Sequence, residues 1–152
     1  MTQRMFTATI CALLFTGYAS AEKLIHKADM PQAVRKTADA QRQGAVVRGY
    51  SKDSENGQVE YEEELLVNGH TKDITMDARG NVMEVEEEVA LSSLPQSVQS
   101  ALKNRAPQGQ IRKVESLTKG GKLVAYEAQV YTNGKHSEIQ VGPNGERLAH
   151  EE

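Results

Sequence analysis

Apolar and polar residues follow two rhythms along this chain, and the same order of rhythms occurs twice. A period of three to four comes first: Met30, Val34 and Ala38 in one stretch, Leu94, Val98, Ala101 and Leu102 in the other, each predicting a helix with one apolar stripe. Asp29 and Ser93 stand two residues before Pro31 and Pro95, with Gln32 and Gln96 three positions after them, a pattern that predicts capping boxes with proline in the first turn. Gly44 and the segment Pro107 to Gly109 are the expected helix stops. A period of two follows, punctuated by turn residues, and predicts an antiparallel meander. In the first stretch the strands are expected near 45–50, 59–67, 71–76 and 82–89, with turns at Glu55-Asn56-Gly57, Asn68-Gly69 and Asp77-Ala78-Arg79-Gly80. The second stretch offers Lys119-Gly120-Gly121, Asn133-Gly134 and Pro143-Asn144-Gly145 as the corresponding turns.

The two stretches align residue by residue. Met30-Pro31-Gln32-Ala33-Val34 is answered by Leu94-Pro95-Gln96-Ser97-Val98, and Tyr61-Glu62 by Tyr126-Glu127. Asn68-Gly69 matches Asn133-Gly134, Ile74 matches Ile139, and Gly80 matches Gly145. Such a register predicts a tandem duplication. The fold class expected is α+β: each copy a helix packed on a four-stranded antiparallel sheet, the two sheets continuous, with residues 22–90 as the first copy and 91–152 as the second.

Alternation also sorts the strands into faces. Tyr61, Leu65, Val67, Ile74, Met76, Met83, Val85 and Val89 point one way in the first copy, as do Tyr126, Val130, Ile139, Val141 and Leu148 in the second; these are expected beneath the helices, the other apolar layer available. The opposite face of the first copy then carries Glu60, Glu62, Glu64, Thr71, Asp73, Thr75, Glu84, Glu86 and Glu88. Such a face is either simply solvated or built to meet a cationic partner or to collect Ca²⁺. For calcium the spacing is poor, because no Asp-x-Asp-x-Asp-Gly loop occurs. Glu63 and Glu87 fall on the apolar side. Either a bulge shifts the register there or they lie at the edge of the helix, and the cost of burying an unpaired carboxylate favours the edge; a functional buried carboxylate is the third reading.

Residues 1–21 change the picture of the compartment. Arg4, a short apolar run through Leu13, Leu14 and Phe15, and Ala19-Ser20-Ala21 read as a cleavable secretory signal, and the run is too short to span a bilayer. Cleavage would remove Cys11 and both Phe, so no disulfide is expected and packing must hold the fold. The net charge of −3 conceals an asymmetry: residues 22–90 hold 15 acidic against 9 basic side chains, residues 91–152 hold 6 against 8. That balance excludes a basic nucleic-acid footprint. His26, His70, His136 and His150 are dispersed, and there is no HExxH, zinc-spaced Cys/His pair, Gly-x-Ser-x-Gly elbow, P-loop or GxGxxG. No enzyme, cofactor or metal centre is expected.

The twice-written Leu/Met-Pro-Gln-x-Val helix start, the Tyr-Glu strand, Asn-Gly before an Ile strand and the turn ending in Gly resemble the PepSY-like, β-lactamase-inhibitor-like family of secreted bacterial proteins, across nearly all of residues 29–152. The resemblance implies binding to another protein, since that family includes inhibitors and related modules restrain proteases. The expectation is therefore an exported, non-enzymatic protein-binding module in the periplasm or outside the cell. An inhibitor of a protease or other envelope enzyme is its sharper form. Its acidic sheet face and hairpin loops would engage a basic protein partner, with Glu62, Glu64, Glu84 and Glu86 as contact residues and Tyr50 and Tyr131 as anchors or, equally, as packing residues. The alternative is a periplasmic small-ligand or cation (calcium) binding protein.

Overall fold

The computed structural model describes residues 23–55 and 57–152, so the signal-like segment lies outside the described residues, as does Asn56 of the first hairpin turn. Eight strands form one antiparallel sheet in sequence order: β1 (Lys23–Leu24), β2 (Val46–Glu55), β3 (Gln58–Val67), β4 (His70–Asp77), β5 (Val82–Glu88), β6 (Gln110–Lys119), β7 (Lys122–Thr132) and β8 (Lys135–Val141). Helix α1 (Gln32–Gln41) precedes β2 and helix α2 (Gln96–Arg105) precedes β6. The sheet is continuous across the middle of the chain, where β5 and β6 pair from Glu84↔Lys119 to Glu88↔Glu115. Asn68-Gly69, Asn133-Gly134 and Gly120-Gly121 all take positive φ, the two-residue geometry whose twist suits a tight hairpin.

Both helices lie on the same face of the sheet. Met30, Val34 and Ala38 are buried on Tyr61, Leu65, Ile74 and Met76, with Val82 and Val85 at the margin. Leu94, Val98 and Leu102 are buried on Val114, Ala128, Val130 and Val141, with Tyr126 and Ile139 at the margin. The stripes read from the sequence are thus the packed faces, and apolar burial of this kind, roughly 25 cal/mol per Å², holds the layers together. Gly80 and Gly145 close the approach: a Cβ on either would lie 2.7 Å from a carbonyl oxygen in the first turn of the facing helix, Ala33 or Ser97.

Four expectations are corrected. Asp29 and Ser93 do not cap the α-helices. The residue before a proline is driven to extended backbone, and Met30 (ψ 148°) and Leu94 (ψ 159°) obey, so Asp29 and Ser93 instead finish separate 3-10 turns, Lys27–Asp29 and Leu91–Ser93. Met83 is not in the core but 41 % exposed, because the register shifts beside Met76 and places Val82 opposite it. Val67 is likewise exposed, in the last pair before the Asn68-Gly69 turn. The second half has three strands rather than four: after Val141 the chain turns at Gly142, whose N–H donates to the Glu146 carbonyl, and residues 147–152 form no strand. That segment offers Leu148 as its one large apolar side chain, against Val82, Val85 and Val89 in the matching stretch, so pairing it would bury little.

Candidate functional site: the open face of the sheet

Among the described residues, no helix lies on the second face of the sheet, and register places the acidic side chains there in rows. Glu62, Thr75 and Glu84 are cross-strand neighbours, as are Glu64, Asp73 and Glu86. Four of the contact residues read from the sequence are therefore brought onto one face, Glu62 and Glu64 from β3 and Glu84 and Glu86 from β5, with β4 between them. The rows continue into the second half: Glu84 faces Lys119, Glu86 faces Leu117, and Glu88 faces Glu115, which in turn faces Glu127 and, beyond it, Gln140.

The tyrosines separate. Tyr50 pairs with Glu63 on the helix side, and its hydroxyl accepts a hydrogen bond from Arg42 Nη2 at 2.7 Å, so it is a packing residue beneath α1. Tyr131 does stand on the open face, at the β7–β8 end, with the His136 ring 4.9 Å from its own and the Arg112 guanidinium 5.3 Å above it. Glu63 proves fully buried rather than at the helix edge, with Oε1 2.7 Å from Arg42 Nη2 and Oε2 lacking any hydrogen bond. Glu87 is at the edge, half exposed and paired with Lys72 at 2.6 Å.

Burial makes the open face unusual. Glu115 is 1 % exposed and Glu127 5 % exposed, although no helix covers them. Long side chains from neighbouring strands cover one another, and the carboxylates are crowded into a poorly solvated layer. One oxygen each from Asp73, Glu86 and Glu115 falls within 4.8 Å of the others. Lys113 Nζ lies 2.7 Å from Glu115 Oε1, and Thr71 donates its backbone N–H to Glu88 Oε2 at 2.9 Å. Lys119 reaches Glu84 at 3.1 Å.

Proton affinities follow from that crowding. Burial, then the charge of Glu115, pushes Asp73 up to about 6. Glu86 is raised further still, by burial first, then by Glu115 and by its hydrogen bond to Glu84, a contact that requires a proton between two carboxyl groups. Burial pushes Glu127 up to about 7, with Glu138 and Glu115 adding to it while Gln140 and Lys113 oppose. The face therefore carries more acid than its own cations neutralise. Three converging oxygens are few for calcium, which takes six to eight, so the cluster is not by itself a calcium cage.

Glu115, Glu127, Lys113 and Gln140 were not among the residues singled out from the sequence. Their signal lies in the alternation of Lys113, Glu115, Leu117 and Lys119 with Val114 and Ser116. A hollow of about 680 Å³, open to solvent, lies apart from these groups at the β1 edge, between Lys23, His26, Asp29 and Asp53.

No family model matches the sequence, and no curated protein does. Solved structures do match in fold. A DUF2874 family protein from Bacteroides ovatus superposes with a TM-score of 0.59 at 18 % identity, covering 76 % of this chain and 82 % of that one. A candidate periplasmic protein from Bacteroides eggerthii gives 0.63 at 16 % identity, covering 77 % and 84 %. A BLIP-like protein from Bacteroides fragilis gives 0.57 at 20 % identity, covering 81 % and 85 %. The architecture is theirs. At these identities the likeness is one of fold alone. Among the described residues, no helix is long and apolar enough to cross a membrane.

Proposed function

We propose that this protein is a non-enzymatic binding module of the periplasm that takes a basic segment of a partner protein across the open face of its sheet. The observation that carries this reading is the pair of carboxylate rows, Glu62–Glu84 and Glu64–Asp73–Glu86, backed by the buried Glu115. Like charges in a poorly solvated layer repel, and the layer answers in part by holding protons. A lysine or arginine side chain arriving there would replace those protons, gaining attraction that is far stronger than in open water. The candidate periplasmic and BLIP-like proteins of the same fold support the compartment and the binding role. Where the partner is an enzyme, occupation of its basic surface would inhibit it, which is the form in which this module would act as an inhibitor. Two of the histidines are engaged on the surface: the His136 ring packs at a tilt against Tyr131, and His70 faces Glu88 at 3.5 Å.

The test is capture from envelope extract by the native protein and by a variant with Glu62, Glu64, Glu84 and Glu86 changed to Gln. The native protein should retain a partner at low salt, release it as salt rises, and lose it in the variant. Equal retention by both proteins would remove the open face from consideration. Saturable heat on titration with Ca²⁺ alone, abolished in the variant, would transfer the face to a cation carrier instead.

A further inference from the structure

After the turn at Gly142, residues 147–151 come back beside β8, leaving a hollow of about 170 Å³ between them, Arg105 and Gln140. Arg105 occupies the edge that they pass, and Glu152 is what ties them down. Arg105 Nη1 donates to the Gln140 carbonyl at 3.0 Å, at the outer edge where a further strand would otherwise pair. The Glu152 backbone N–H donates to Gln140 Oε1 at 2.8 Å, with Glu152 Oε2 4.0 Å from Lys119 Nζ. The segment is thus a strap that passes round the sheet edge and ends on the open face.

Gln140 is 4 % exposed, and the other end of its amide is also committed: Nε2 donates to Glu127 Oε2 at 2.8 Å. An ionised carboxylate only accepts, and a backbone N–H only donates. With Glu127 ionised, the amide has one orientation that satisfies both neighbours, NH₂ toward Glu127 and oxygen toward the strap. A protonated Glu127 can donate instead. The amide is then free to turn its oxygen to Glu127, which brings NH₂ against the Glu152 N–H, donor facing donor.

We propose that Gln140 is an amide switch read by the proton of Glu127, holding residues 146–152 on the open face while Glu127 is ionised and releasing them when it is protonated. This device stands independently of the binding role above, since it needs no partner. The groups that face Glu127 set its working range: Glu115 and Lys113 from β6, Gln140 and Glu138 from β8, and Glu86 from β5. With Glu127 pushed up to about 7 by burial, the switch operates around neutral pH. The sign is that of a carboxylate: the strap seats as pH rises and loosens as pH falls.

Nuclear magnetic resonance of the ¹⁵N-labelled whole chain between pH 5 and 9 tests this. The Glu152 amide should move with a midpoint at about 7, keep that transition in His150→Gln, which removes the imidazole on the strap, and lose it in Glu127→Gln. A second variant, Gln140→Met, keeps the side-chain length and should leave the strap amides fast-exchanging at every pH. A flat native titration, or an unchanged midpoint in Glu127→Gln, would overturn the proposal. Should Glu127→Gln not fold, a strap in Gln140→Met that still orders with pH would do the same.

Discussion

Arg42 shows how one side chain can carry more than its own contacts. It lies just past the end of α1, and its guanidinium holds both the Glu63 carboxylate and the Tyr50 hydroxyl. Removing it would leave a fully buried carboxylate without a counter-charge, a change that typically costs 3–5 kcal/mol. Arg42→Ala should therefore lose about 3 kcal/mol in urea unfolding, whereas Arg42→Leu with Glu63→Leu should recover most of it, because an apolar pair of similar volume avoids both desolvations. Equal losses in the single and double variants would show that Glu63 is not the reason. Glu63 was legible in the sequence as an exception to alternation. Its depth was not, because the partner that makes burial tolerable sits twenty-one residues away on another element.

At the scale of elements, the meander and the helices were readable because each has its own period, and both helix stripes pack as their spacing implied. Met83 was not readable: one extra residue in a strand turns every later side chain over, and composition gives no sign of it. The prolines mislead in the opposite way. Met30-Pro31 and Leu94-Pro95 look like the start of a helix, yet each forces its predecessor to extend and so divides a 3-10 turn from the α-helix that follows. The glycines after β4 and β8 are where helix meets turn. Gly80→Ala, at φ +80° with a carbonyl oxygen 2.7 Å from the new Cβ, should lower stability by at least about 1 kcal/mol, measured by thermal unfolding. Gly69→Ala pays the positive φ (+90°) but meets nothing within 4 Å, so it should lose less; the difference isolates the helix contact.

For the whole molecule, the acid of the open face should dominate the pH dependence of stability. Asp73 at about 6 and Glu127 at about 7 bind protons more tightly folded than unfolded, and Glu86 does so more strongly still. Stability therefore falls as pH rises from about 4 through 7, the unfolded chain having already released protons that the folded one keeps. Asp77, held down at about 2 by Asn81 and Arg79, acts in the opposite direction and withdraws its support below about pH 4. The urea midpoint should peak near pH 4 and be lower at pH 8, and a midpoint that rises between pH 5 and pH 8 would contradict the crowding. Strap order rises with pH while global stability falls, so the two responses are separable in one sample.

The seam between β5 and β6 gives this face a mechanical meaning. Asp73 and Glu86 belong to strands of the first half, Glu115 to the first strand of the second, and their oxygens converge above the line where the halves join. Whenever these groups ionise together, repulsion among them would press on that line. A cationic side chain lodged there would act as a rivet, turning a wedge into a fastening, and the partner would leave the protein stiffer along its middle than it found it.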